Sequence, residues 1–412
     1  MFRETVYHIY IYAIVAWLLM NFLPRQQQHK AVMVFLLGYL SSQHIYSMLN
    51  DFGGFNMDIT TYTMILVCKL WILSWAFKDG GMDEKKLTPD QLERRVVEFP
   101  SLIEYLSYVF FCCGPIVGPV FEFSDFKNFM ELKGNYRTLP RGVKGTATIM
   151  PALTQLGGAF LCLGIHIAAV LLGGFDVYWC GTKEFITAGN IFYRIGFYFC
   201  AMTGQRFMYY TPWLFNDAAT KACGLAYNGS VTNDDKTVTH KWDRVVSINV
   251  IALETGYTPI MMMADWNHTV HLWLKHYVQA RLVEPGQKPT MMTTIGTFGV
   301  SAFWHGFYPF YYFMFFMCAC FVELSKDIYR ARALFSWVPY PTIVCNLLTM
   351  LVLNYLGTSF NCLTFERGFN FGAGTYYFVY IMLPVLVFSS KAFGMVKMAK
   401  KKEEKLKSVK KD

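Results

Sequence analysis

Charge is scarce in this chain. Only 16% of its 412 residues are Asp, Glu, Lys or Arg, against about a quarter in soluble globular proteins. A surface that meets water on every side cannot be built from so few. The 54% of hydrophobic residues come in long blocks, and each crossing of a ~30 Å hydrocarbon layer takes ~20 such residues. An ordinary soluble protein is therefore excluded, and a polytopic membrane protein is predicted. The eleven cysteines contain no C-x-x-C pair, which removes zinc and redox sites of that kind. Cys68, Cys112, Cys113, Cys162, Cys200, Cys318, Cys320 and Cys345 lie inside apolar blocks and read as small hydrophobes. No Gly-x-Ser-x-Gly surrounds any serine, so no nucleophile of that kind is prepared for an acyl-enzyme. Two similar halves, common in transporters, are missing. No polar stretch of ~100 residues leaves room for a separate soluble domain.

What is present is a succession of apolar blocks at about 6–23, 31–49, 59–77, 102–121, 149–175, 185–203, 246–263, 291–321, 341–358 and 373–393. These predict an all-α membrane protein of about ten to eleven spans. The first block lacks a small-residue cleavage site and reads as a retained helix, not a signal peptide. Block 291–321 is too long for one upright span, so it is tilted, broken or double. Block 246–263 holds Glu254, Gly256 and Pro259 and reads as a broken or re-entrant segment lining a cavity. Residues 1–393 form one expected membrane domain, and 394–412 form a basic tail. From Lys391 to Asp412 nine lysines stand against Glu403, Glu404 and Asp412, which predicts a cytosolic C-terminus beside anionic lipid. Without a folded basic domain, nucleic acid is not an expected partner. The ending Val409-Lys410-Lys411-Asp412 lies one position out of register with a dilysine retrieval signal.

Ionisable residues inside apolar blocks are costly, and each is a candidate for function: Lys69, His166, Arg194, Glu254 and His305. His305 sits in SAFWHGFYPFYYF at 301–313, where aromatic rings would exclude water. Its imidazole can take up a proton near neutral pH. The plain alternative is a buried histidine bonded to a neighbouring helix. A second constellation, WNHTVHLWLKHYVQAR at 266–281, is too polar to face lipid. Asn267-His268-Thr269 in it, like Asn228-Gly229-Ser230, also has the form of a glycosylation sequon. His268 and His271 have the spacing of half a metal site, but the remaining histidines are scattered singly, so no metal is expected.

These two strings together resemble the signature of the membrane-bound O-acyltransferase family, specifically its lysophospholipid acyltransferase branch. GPIVGPVFEFSDF at 114–126 and RFMYYTPWLFNDAATKACGLAYNG at 206–229 add to the likeness, which covers about residues 100–330. The resemblance implies helices and re-entrant segments around a catalytic chamber, with Asn267 and His305 as the active-site pair. One departure stands out. Phe310 follows the proline of the histidine string, where the family usually has glycine, and it is expected to narrow the space which that glycine leaves.

The resemblance implies transfer of an acyl group from acyl-CoA to a lysophospholipid in the endoplasmic reticulum. His305 would be the general base, a role typically contributing ~10²–10⁴-fold. Asn267 would either orient the imidazole or donate to the developing oxyanion. No cofactor is expected, acyl-CoA being a co-substrate. Trp266, Trp304 and Glu254 are candidates to line the substrate cavity, Glu254 alternatively serving as a pairing or capping group. Lys275, Arg281 and Lys288 would meet the CoA phosphates or serve as ordinary membrane-flanking positives. The competing readings are the same fold with a sterol, diacylglycerol or protein acceptor, and a membrane transporter.

Overall fold

A computed structural model describes residues 5–54, 58–114, 117–140, 146–284, 286–335 and 342–409. Pro115 and Ile116 of the Gly-Pro corner and the last three residues of the tail lie outside these. The described residues are overwhelmingly helical, with one short antiparallel hairpin in which Ser230–Thr232 pairs with Val238–His240.

The apolar blocks become helices of two kinds. Ile59–Asp79 is capped by Asp58, whose carboxylate accepts the Thr60 N–H at 2.9 Å, and its apolar stretch is 72% buried. Ala147–Leu172 has the higher mean hydropathy, 1.9, yet only 11% of it is buried. An apolar helix with so little protein cover is one that lipid covers. Gln28–Asn50 and Thr342–Cys362 are also long and apolar enough to cross a bilayer, and Phe365–Gly374 with Phe378–Ala392 forms a pair bent by 87°. Tyr7–Phe22 is a shorter apolar helix.

The two irregular blocks are irregular in the structure. Block 291–321 divides into Met291–His305 and Pro309–Arg330. Gly306 between them has φ +115°, a conformation essentially confined to glycine, and Pro309 opens the next helix. Block 246–263 divides into Val250–Thr255 and Pro259–Asp265.

The chain groups into two compact units. The first comprises Met1–Gly164, Met208–Asn249 and Asn267–Arg281; the second comprises Ile165–Phe207, Val250–Trp266 and Leu282–Asp412. Within the second, Pro309–Arg330 packs against Met291–His305, Thr342–Cys362 and Phe378–Ala392. Their shared core is rich in rings, including Tyr198, Phe310, Tyr355, Phe371 and Tyr380. Phe310 is fully buried there, with ring centroids of Phe369 and Tyr380 at 5.7 and 6.2 Å. Gly368 makes room for it, because a Cβ at 368 would overlap the Phe310 ring. The ring expected to narrow a substrate space thus has its place in the core, against a glycine on another helix. The helix Met395–Val409, which carries most of the lysine tail, packs on Pro309–Arg330 and Arg332–Phe335, with Ala399 fully buried.

Candidate active-site residues

The polar residues of the apolar blocks have identifiable partners. Lys69 donates to the Tyr108 carbonyl at 2.6 Å and lies 4.5 and 4.4 Å from the Tyr108 and Phe121 ring centroids. The His166 Nδ1 meets the Gly204 carbonyl at 3.0 Å. Arg194 donates to the Ala188 and Gly189 carbonyls at 3.3 and 3.1 Å. Glu254 receives the Arg206 guanidinium at 3.0 and 3.1 Å, and Arg206 also donates to Asn354. The Asn346 amide then holds the Glu254 and Gly256 carbonyls at 2.8 and 2.6 Å. Glu254 thereby ties the broken 250–265 segment to helices Ile191–Cys223 and Thr342–Cys362.

His305 ends its helix one residue before the Gly306 break. Aromatic rings surround it: Phe315 stacks at 5.3 Å, Phe360 meets it edge-on at 5.2 Å, and Trp304 and Tyr311 lie at 4.8 and 5.9 Å. Such a cage limits hydration of the imidazole and so strengthens whatever polar contacts it makes. Trp304 is buried, and Trp266 is half-buried at the end of the Pro259–Asp265 helix.

Asn267 belongs to the first unit and His305 to the second. Asn267 also stands at a helix break, after Pro259–Asp265 and before His268–Trp273. Its backbone is left-handed, φ +42° and ψ +56°, a conformation that asparagine tolerates better than most residues. Although asparagine is a favoured N-cap, the side chain makes no cap hydrogen bond here. Its Oδ1 is buried without a donor among the described residues. The described residues hold the backbone and leave that oxygen unused. Two residues on, Thr269 is buried and its Oγ1 accepts the Val120 N–H at 3.0 Å. The threonine that would complete a sequon is thus built into the packing.

The string continues through a π-helical turn, Leu274–Gln279, a distortion frequent at functional sites. Tyr277 donates to Glu122 at 2.6 Å. Arg281 donates to Asp79 through both terminal nitrogens and lies 4.4 Å over the Trp75 ring. Lys275 and Lys288 are exposed.

Sequence reasoning missed a cluster of charged residues beside this string. Arg244 pairs with Glu93 and Asp125, each at 2.7 Å, and Arg94 pairs with Glu122 at 3.3 Å. Burial works against the charged Arg244, but Asp125 and Glu93 outweigh it and raise its pKa. Burial pushes the Glu122 carboxyl up to about 7, opposed by the Tyr277 hydroxyl and Arg94. Glu93, Arg94, Glu122, Asp125 and Arg244, with His268, Thr269 and Trp273, line a cavity of about 240 Å³ in the first unit. Among the described residues no group of three or more His, Cys, Asp or Glu could hold a metal ion.

The family model described as "MBOAT, membrane-bound O-acyltransferase family" matches residues 45–365. The chain is 32% identical over 312 residues to the "Lysophospholipid acyltransferase" of Saccharomyces cerevisiae, covering 72% of this chain and 50% of that protein. It is 29% identical over 367 residues to the "Lysophospholipid acyltransferase 2" of Arabidopsis thaliana, covering 86% of this chain and 76% of that one. Against the Gallus gallus "Membrane-bound glycerophospholipid O-acyltransferase 2" it is 26% identical over 402 residues, 93% of this chain and 75% of the relative. The chain thus spans half the length of the yeast relative and about three quarters of the other two.

Proposed function

From its place in the membrane-bound O-acyltransferase family, to which this chain belongs, we propose that the protein transfers an acyl group from acyl-CoA to the free hydroxyl of a lysophospholipid. The relatives named as lysophospholipid acyltransferases support the acceptor class. The observation that carries the reading is the setting of His305, a histidine at a helix break inside a ring of aromatic side chains.

The chemistry follows from what the reaction needs. The lysolipid hydroxyl attacks the thioester carbonyl, the C–S bond breaks, and CoA leaves as the thiol. His305 takes the hydroxyl proton and returns it to the departing sulfur, a general acid–base role. Asn267 supplies the amide carried over with its string, for the imidazole or the oxyanion. No cofactor is required beyond acyl-CoA itself. Exposed Lys275 and Lys288 suit the CoA phosphates better than Arg281, whose guanidinium Asp79 already engages. Trp266 and Trp304 are candidates to line the path of the lipid. About ten to eleven spans, a chamber enclosed by them, a cytosolic tail and residence in the endoplasmic reticulum complete the proposal.

The test is His305→Ala assayed in membranes with a lysophosphatidylcholine panel and acyl-CoA. A loss of ~10²–10⁴-fold at equal protein level is expected. Activity within twofold of the native protein would eliminate the mechanism.

A further inference from the structure

The backbone around Asn267 is held from two sides by buried polar groups. Asp217, fully buried near the end of the Ile191–Cys223 helix, accepts the Ser247 N–H with both carboxylate oxygens, at 2.8 and 2.9 Å. The Ile248 N–H reaches the same carboxylate at 3.4 Å. The Ser247 carbonyl in turn accepts the His268 N–H at 2.6 Å. On the other flank, the Thr269 hydroxyl accepts the Val120 N–H at 3.0 Å. The residue at the head of this clamp is Asn267, left-handed and with its Oδ1 lacking a donor among the described residues. A carboxylate accepting two backbone N–H groups forms charge-assisted bonds, stronger than neutral ones. A non-glycine residue in the left-handed region persists only where its surroundings hold it there.

We propose that Asp217 is a positioning residue for acyl transfer, acting through Ser247 and His268 and seconded by Thr269, to fix the backbone from which the Asn267 amide projects. The proposal rests on the functional role assigned above to Asn267. Asp217 touches neither substrate nor reacting atoms. Its effect is on geometry, and a displacement of about 1 Å at a reacting group can cost on the order of 10²-fold in rate. Its removal is expected to act chiefly on kcat, through the placement of the Asn267 amide.

The decisive variant is Asp217→Asn, which keeps the shape, removes the charge and turns an NH₂ toward the backbone donors. We expect kcat to fall at least about tenfold, with KM for lysophospholipid and for acyl-CoA changed less than about threefold. Amide exchange in residues 266–270 should accelerate. Adding Asp217→Asn to Asn267→Ala should leave the residual rate within about twofold, because groups acting as one unit are not additive. A kcat within twofold of native, unchanged exchange at 266–270, or a further tenfold loss in the double variant would each overturn the proposal. If Asp217→Asn is not recovered folded, Thr269→Val carries the test: the same kcat-only loss supports it and native kcat overturns it. Should Asn267→Ala alone keep full activity, the role given to Asn267 fails, and with it the catalytic consequence proposed for Asp217. Exchange at 266–270 then still reports whether the clamp orders the segment.

Discussion

Alanine at position 368 should destabilise the native protein, yet be neutral or stabilising once Phe310 is shortened. Gly368 lies in the Phe365–Gly374 helix, and a Cβ there would overlap the Phe310 ring, which is fully buried among Phe365, Phe369 and Tyr380. Forcing a methyl into such a core costs about 1–3 kcal/mol. Alanine in place of a helical glycine returns about 0.5–1 kcal/mol. A net loss of up to about 2.5 kcal/mol is expected for Gly368→Ala alone. Phe310→Ala should cost about 3–5 kcal/mol through the cavity it opens. In that background the overlap is gone, the helical gain remains, and the new methyl fills part of the void. The two substitutions are therefore coupled, as contacting residues generally are. Unfolding midpoints of the four proteins in detergent, at one scan rate because such transitions are often irreversible, would test this. A Gly368→Ala shift of the same sign and size in both backgrounds would refute the packing argument.

Other outcomes follow from the described contacts. Phe310→Gly, which restores the family's usual residue, should lower the unfolding midpoint without altering the acyl-chain profile; a broadened profile in a competition assay would put the ring back in the chamber. For Glu122, the folded-state value of about 7 lies above its ordinary 4.5. Its contribution to stability is therefore present below about pH 4.5 and lost as pH rises through about 7. The midpoint advantage of Glu122→Gln over native should grow between pH 5 and 8, and a constant difference across that range would contradict the assignment. Arg281→Ala should destabilise, since it leaves the buried Asp79 carboxylate without its guanidinium, a loss of about 3 kcal/mol or more where a buried pair is broken. The KM for acyl-CoA should change less than about threefold, and a tenfold rise at unchanged stability would return Arg281 to the CoA phosphates.

Local signals were legible wherever the cause was local. The excess length of 291–321 allowed a tilted, broken or double segment; the structure has it divided, and Gly306 with Pro309 is the reason the break falls just after His305. Glu254, Gly256 and Pro259 foretold the interrupted 250–265 segment. The two strings that carry the family likeness both end up at helix breaks, where a side chain can be aimed independently of the helical period. What stayed hidden depended on partners distant in sequence. Asp217 acts on backbone N–H groups 30 and 31 residues away, and a backbone donor has no signature in the sequence. Arg206 finds Glu254 at a separation of 48 residues. Phe310 was read against the residue it replaces, whereas its placement was decided by Gly368 on another helix.

The docking of Met395–Val409 bears on how this protein can be shortened. Ala399 and Ala331 are both fully buried, one within the lysine-rich helix and the other at the end of Pro309–Arg330, against which that helix packs. Ending the chain at residue 393 would therefore strip away one wall of the second unit and lay bare the surface it covers. Design of expression variants should treat the basic segment as structural, and should place purification tags beyond it, not in exchange for it.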